Sequence, residues 1–485
     1  MKLKRCADIG LKVCASLLLA VALVLTFTVS DYYIFNRIGQ YDFMFVFSQW
    51  VKKAGLLIIP LAVFYNKKSC SDIAKWFLPF FVIVSCFAYG GFFDATSISE
   101  DSSPAQLCFA QINEFMPKSA NIALFFISNA LYLLICAGLF IRDGYTVNAK
   151  SYIYLPFAFI ACMPLNIFEN FFDINNYSPE HFLWFKNFTV WHFLAILILA
   201  GFTIGAYYFL KYQSPEKRQD FLVATAIVLL IQYHSKDSVI MGDGYNVYNT
   251  VFSCLPLFIC NIGVYIACAS VITKKKILYA ISFFVHAAGA LSVFVYFGKN
   301  EMSNYGIICS YSILYFCLTH CLLFALCVLP TALGQYKFKL RDCIIPLIYY
   351  CLVIVVATVA SGLLTTFLEN FTYNGYTLTV GEYGTADMAP LNFSFTQVNP
   401  LPIPFNYIPF KIANCTFYLS YLIALYLVYV GLFWIFTGSY YAFLAIRKKV
   451  LARGRKVVVT AGAEGVAIDE AQAEVAATED EEEKK

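Results

Sequence analysis

The chain has 485 residues, of which 60% are hydrophobic and 13% charged, with a formal net charge of +4 and a mean hydropathy of +0.68. That excludes a soluble globular protein, and so small a positive charge, spread over short connections, speaks to membrane topology rather than to nucleic acid. Most of the 17 cysteines lie inside apolar runs, as with Cys136, Cys162, Cys268, Cys317, Cys321, Cys327 and Cys351, where they serve as small hydrophobes; no zinc-like spacing occurs, so no metal or other cofactor is expected.

Apolar runs long enough to cross a hydrocarbon core of roughly 30 Å recur along the chain. They are continuously apolar rather than alternating, so they read as helices, not barrel strands. The first, 10–30, follows Lys2, Lys4 and Arg5 and lacks a small-x-small cleavage site before Asp31, so it is expected to stay as a span. Next come 43–65, interrupted by Lys52 and Lys53, then 74–94, 119–141 and 152–170. The second half gives 188–211, a short 220–234, 250–272, 277–297, 305–330, 342–367 and a long 412–446. The expected fold is therefore an all-α polytopic transmembrane bundle of about twelve spans. Phe (48) and Tyr (35) are abundant, which suits aromatic belts at both membrane interfaces.

Alternate connections carry the basic residues: the N-terminus, Lys67/Lys68/Lys75, Arg142/Lys150, Lys211/Lys217/Arg218, Lys274–Lys276, Lys337/Lys339/Arg341 and Arg447 onward. The connections between them are neutral or acidic, such as 95–118. By the positive-inside rule both termini are cytoplasmic and the protein is a multi-pass component of the cell membrane. Three parts follow: a bundle of five or six spans over 1–185, a seven-span module over 186–446, and a basic segment with an acidic, disordered tail over 447–485. The connection 368–411 lies outside and is long enough to act as a lid or cap.

The residues able to carry chemistry sit in the second half. Cys260, in Leu255-Pro256-Leu257-Phe258-Ile259-Cys260-Asn261, lies ten residues into its span, roughly 15 Å deep at 1.5 Å per residue. His320, in Leu318-Thr319-His320-Cys321, enters from the same side and lies fifteen residues in, roughly 22 Å deep. A thiol beside an imidazole is the minimal kit for nucleophilic acyl transfer. A packing cysteine and a satisfied core histidine are the plainer alternative. Asn261, Thr319, His286 and His192 are the candidate neighbours; His192 and His234 also suit interfacial positions.

The stretch 188–433 resembles the YwaF-type integral membrane family. The residues that carry the resemblance are Trp191-His192, Leu255-Pro256-Leu257-x-x-Cys260, the lysine turn Thr273–Lys276, Leu318-Thr319-His320, and Gly362-Leu363-Leu364 before Phe371–Asn374. That family is related to a eukaryotic seven-span protein acting as a cysteine-dependent ether-phospholipid acyltransferase. The resemblance implies that Cys260 is an acyl-carrying nucleophile, that His320 is its base, and that the partners are membrane lipids with a phospholipid as acyl donor. It does not cover the first five or six spans, and Asn261 stands where many members carry an acidic residue. The other reading is a transporter or channel for a small solute, since twelve spans with both ends inside is a common transporter layout. Few intramembrane charges are present to couple ions in that case.

Overall fold

The computed structural model describes residues 2–26, 43–87, 118–165, 167–168, 180–242, 255–295, 307–370, 372–373, 376–377, 379, 391–396 and 406–463. They form a helical protein in which eight helices are long and apolar enough to cross a membrane. The helices are α1 Lys2–Thr26, α2 Phe43–Val63, α3 Lys68–Phe87, α4 Lys118–Asp143 and α5 Tyr154–Ala161. They continue as α6 Val190–Lys211, α7 Pro215–Gly242, α8 Ile259–Thr273, α9 Lys276–Ile281, α10 Ala287–Val295, α11 Tyr311–Ala332, α12 Ile344–Glu369 and α13 Leu419–Ala463. Two small antiparallel hairpins complete the set, β1 Thr372–Tyr373 with β2 Tyr376–Thr377 and β3 Pro409–Ile412 with β4 Cys415–Tyr418.

Several expected span boundaries move. The run at 152–170 gives only the eight-residue α5, because the chain leaves the helix before Pro164, which has no N–H to continue it. The short run at 220–234 becomes the 28-residue α7. The last span begins at Leu419, because Cys415–Tyr418 pairs with Pro409–Ile412 across a turn at Ala413. Its helix also runs through the basic segment to Ala463; the acidic residues beyond lie outside the described ones.

The chain divides into two compact units, Met1–Leu427 and Val428–Lys485. In the second, the described residues continue α13. In the first, α1 packs on α4, α2 on α3, and α3 on α4. α7 then packs against α1 and α2 on one side and α8 and α11 on the other. Gln232 of α7 donates to the carbonyls of Ala161 (3.0 Å) and Met163 (3.2 Å), capping the end of α5.

Polar clamps hold the end of this unit where the basic residues collect. Arg218 donates to the Leu210, Gln213, Lys211 and Leu333 carbonyls, so one planar fork closes the ends of both α6 and α11. Lys75 and Asp72, each 1% exposed, pair at 3.6 Å, and Asp72 also accepts from the Ser151 hydroxyl and the Asn148 N–H. Buried charges persist only when compensated in this way.

Candidate functional site

Pro256 sets the start of α8. The Leu257 N–H closes back on the Leu255 carbonyl at 2.8 Å, a three-residue turn around the proline, and the helix begins only at Ile259. Cys260 is therefore the second residue of its helix rather than ten residues inside one. The first internal bond of α8 runs from the Ile262 N–H to the Phe258 carbonyl. The N–H groups of Ile259 and Asn261 thus have no bond inside the helix and lie at its start, where an anion or a developing oxyanion is stabilised. Cys260 is half-buried, and its Sγ lies 3.8 Å from the Asn261 Oδ1. Cys268, two turns on, is buried with its thiol on the Ala226 carbonyl and is a packing residue.

Three of the predicted histidines are buried, and their hydrogen bonds separate them. His192 is fully used. Its Nδ1 accepts from the Phe188 N–H at 2.9 Å, so the ring proton resides on Nε2. Nε2 then donates to the Phe294 carbonyl at 2.7 Å, fastening the start of α6 to the end of α10. The surrounding cluster of Phe185, Ala195, Leu199, Phe294, Ile313 and Cys321 makes this a structural joint and places Cys321 in the core.

His320 is different. Its Nδ1 faces the Phe316 carbonyl at 2.8 Å; a carbonyl only accepts, so Nδ1 carries the proton. The ring stacks on Phe316 at 4.2 Å between centroids. Nε2 is left as a bare lone pair, buried and without a hydrogen-bond partner. No hydrogen bond therefore joins it to the Cys260 thiol in this state. Thr319 turns its hydroxyl back to the Tyr315 carbonyl at 2.8 Å and is satisfied within its own helix.

His286 ends a π-helical turn, Ser282–His286, set between α9 and α10. Such turns are rare and frequent at functional sites. Its Nε2 meets the Tyr349 hydroxyl at 3.1 Å, while Nδ1 has no partner of good geometry. The ring lies against α8 at Gly263, where an added Cβ would fall 2.7 Å from Nδ1. Gly263 stands three residues after Cys260, hence on the neighbouring face of the same helix. The π turn packs against α8, α11 and α12 together, and α8 packs against α11. His286, a candidate neighbour by sequence, is thus in contact with the cysteine's helix beside Cys260.

A piece of the long connection covers the start of α8. Ser394 donates to the Leu257 carbonyl at 2.7 Å, and the Phe258 ring sits between Phe393 (6.0 Å) and Phe395 (5.9 Å). Residues 391–396 are held in turn by a hydroxyl ladder on α12. The Phe393 N–H donates to Ser361 and the Leu391 N–H to Thr365, both at 3.0 Å. Ser361 lies eight residues before the end of α12, so this segment dips roughly 12 Å below it. Irregular backbone survives at that depth only when protein satisfies it, as here. Ser394 and Phe395 both adopt left-handed φ (51° and 60°), strain typical of functional segments. The β3–β4 hairpin docks beside this segment where Gly362 leaves room for Ile412, with the Asn414 side chain on Glu369 at 2.9 Å. Most of the connection predicted as a lid lies outside the described residues.

Among the described residues no group of three or more His, Cys, Asp or Glu is arranged to hold a metal. A family model described as the TMEM164 family matches residues 177–436, just over half of the chain and the part that holds every residue above. No curated protein and no solved structure matches the chain.

Proposed function

The chain belongs to the TMEM164 family, a family of membrane proteins, and on that premise we propose that it is a Cys-dependent acyltransferase acting on membrane lipids, of the YwaF type. The observation that carries the reading is the bare Nε2 of His320, a neutral imidazole whose other nitrogen is already held by the Phe316 carbonyl. That is the tautomer a general base requires.

In this reading Nε2 reaches the Cys260 thiol with substrate bound, the state in which catalytic hydrogen bonds often tighten. His320 takes the S–H proton, and the thiolate attacks the ester carbonyl of a phospholipid donor. The oxyanion forms against the N–H groups at the start of α8, with the Asn261 amide beside it. Its collapse breaks the ester C–O bond, leaves a thioester on Cys260, and returns the proton from His320 to the departing lysolipid alkoxide. The second half runs in reverse with an acceptor hydroxyl: His320 removes its proton, the alkoxide attacks the thioester, and the thiol is restored. His286 orients α8, and Ser394 with its neighbours closes the mouth against water. His192 and Thr319 belong to the supporting frame.

We place this module, 186–446, after an N-terminal bundle, 1–185, in a twelve-span cell-membrane protein with both termini cytoplasmic. Alternation of basic connections supports that topology. Beyond the eight helices long and apolar enough to cross, α2, α7 and the shorter α8 are the further candidates, while the eight-residue α5 is too short to cross by itself. The test is transfer of a labelled acyl chain from phospholipid in membranes containing equal amounts of parent and Cys260→Ser protein. The variant should lose nearly all transfer and all acyl label on the chain. Equal activity would sink the nucleophile and leave transport of a small solute as the better reading.

A further inference from the structure

The first two helices of the chain have no role in the chemistry proposed above, yet together with α7 they line a cavity. It holds about 650 Å³ and runs between α1, α2 and α7. Three helical stripes line it. α2 contributes Gln49, Lys52, Lys53, Leu56 and Pro60, spaced three and four residues apart. α7 contributes Val223, Ile227, Leu230, Ile231, His234 and Ser235 at the same spacing, and α1 gives Leu19, Ala22 and Leu23.

The polarity of the wall is graded. Lys67, just past the end of α2, bonds Glu216 and Asp220 at the start of α7, both at 2.8 Å, so the two helices run antiparallel from that point. Counting 18 residues back along α2 gives Gln49, and 18 forward from Glu216 gives His234. Both therefore lie roughly 27 Å from the Lys67 end. Gln49, Lys52, Lys53, His234 and Ser235 thus gather at one end, while Pro60, Phe64, Val223 and Ile227 make the other end apolar. Lys53 is only 7% exposed and Gln49 only 4%. The Gln49 Nε2 is a buried donor with no hydrogen-bond partner. Such a group is expensive to leave unpaired, and one lining a cavity points to a ligand acceptor. Lysines at this depth mark functional sites by default.

The geometry points to a binding site for an amphiphile with one anionic head and a long apolar chain. The head takes donors from Gln49, Lys52 and Lys53, and the chain lies along Leu56, Pro60 and Ile227 toward the Lys67 end. The polar end of the groove is also the end at which α8 begins. His234 on its rim meets the Tyr265 hydroxyl of α8 at 3.2 Å. Because the proposal concerns binding alone, it stands or falls apart from the Cys260 chemistry.

The experiment uses the full chain in nanodiscs with three photoreactive probes, each carrying a diazirine in its chain: palmitic acid, phosphatidic acid and hexadecanol. Labelled peptides are mapped by mass spectrometry, with excess unlabelled compound as competitor. One or both anionic probes should label residues 56–64 or 223–231 saturably, and which of them does so names the source of the head. Replacing Lys52→Gln with Lys53→Gln should cut that labelling about tenfold or more, as losing charge-assisted hydrogen bonds does. Ile227→Trp fills the apolar end without touching a charge and should block labelling too, with both variants checked for an unchanged gel-filtration profile. Cys260→Ser should label like the parent. Labelling that neither anionic probe gives, that hexadecanol gives equally, or that survives in properly folded lysine variants overturns the proposal.

Discussion

Two buried histidines, both on helices of the matched segment, are treated in opposite ways. At the start of α6, His192 has both nitrogens committed to backbone groups, and its ring is as fixed as a crossbar. In α11, His320 commits one nitrogen and leaves the other as a buried lone pair. An imidazole with no spare valence stabilises a joint, whereas one with a spare lone pair costs stability and is retained only if the lone pair is useful. Residue type and burial do not distinguish the two; the destination of each nitrogen does.

The largest expected effects break the comparison on the side of chemistry. Cys260→Ser should abolish acyl transfer, while Cys268→Ser, whose thiol only packs on α7, should keep it within a few-fold. His320→Ala should lower transfer by about 10²–10⁴, the usual share of a general base, without lowering the melting temperature by more than a degree or two. His192→Ala should do the reverse. It leaves a buried carbonyl and N–H unpaired at about 1–3 kcal/mol, so the melting temperature falls while transfer per folded molecule holds. If His192→Ala lost transfer and kept stability, the division between the two would be wrong.

His286 sharpens the comparison, because it has one used and one unused nitrogen and touches the cysteine's own helix. Gly263→Ala drives a methyl group to within 2.7 Å of Nδ1. The ring or α8 must then move, at about 1–3 kcal/mol by the usual cost of overpacking. We expect a lower melting temperature together with lower transfer, because the displaced helix carries Cys260. Unchanged transfer would remove His286 from the site. Smaller effects are expected in the covering segment. Ser361→Ala takes the acceptor from the Phe393 N–H, at about 1–3 kcal/mol, and should raise hydrogen exchange at 391–396 more than elsewhere. Uniform exchange would mean that this segment does not open by itself.

Much of this was legible in the sequence. Membrane class, helical architecture and most helix positions followed from apolar run length, because the bilayer demands an internally bonded backbone. The candidate residues were legible by type but not by state. Tautomers depend on partners far away in sequence, such as the Phe294 carbonyl for His192, and no local pattern announces them. The start of α8 was misplaced because an apolar run does not show where helix begins, although Pro256 was a signal. The ladder of Ser361 and Thr365, four residues apart on α12, was visible as a pair of hydroxyls in an apolar span. What it holds was not, because its partners lie some thirty residues on in the connection. The grading of the cavity wall needed α2 and α7 to be paired in register, which Lys67 and its two carboxylates reveal.

That register also gives the smallest predicted effect. Burial alone would lower the Lys67 pKa, but its hydrogen bonds to Asp220 and Glu216 outweigh this and hold it above the ordinary lysine range. The same contact, through the hydrogen bond from Lys67, holds the Glu216 carboxyl below its ordinary value. A raised lysine pKa stabilises the folded state at every pH below the ordinary value and loses that contribution only as pH climbs past roughly 10.4. A lowered glutamate pKa stabilises above the ordinary value and loses its contribution as pH falls below roughly 4.3. The pair is therefore at full strength across the neutral range and fails first on the acid side. Lys67→Gln should cost no more than about 1 kcal/mol at pH 7, as partly exposed pairs do. The difference in melting temperature between parent and variant should narrow at pH 4 and in roughly 1 M salt, where the Debye length is about 3 Å. A gap that stays constant with pH and salt would show that Lys67 acts through packing of its chain, and would leave the pairing of α2 with α7 to other contacts.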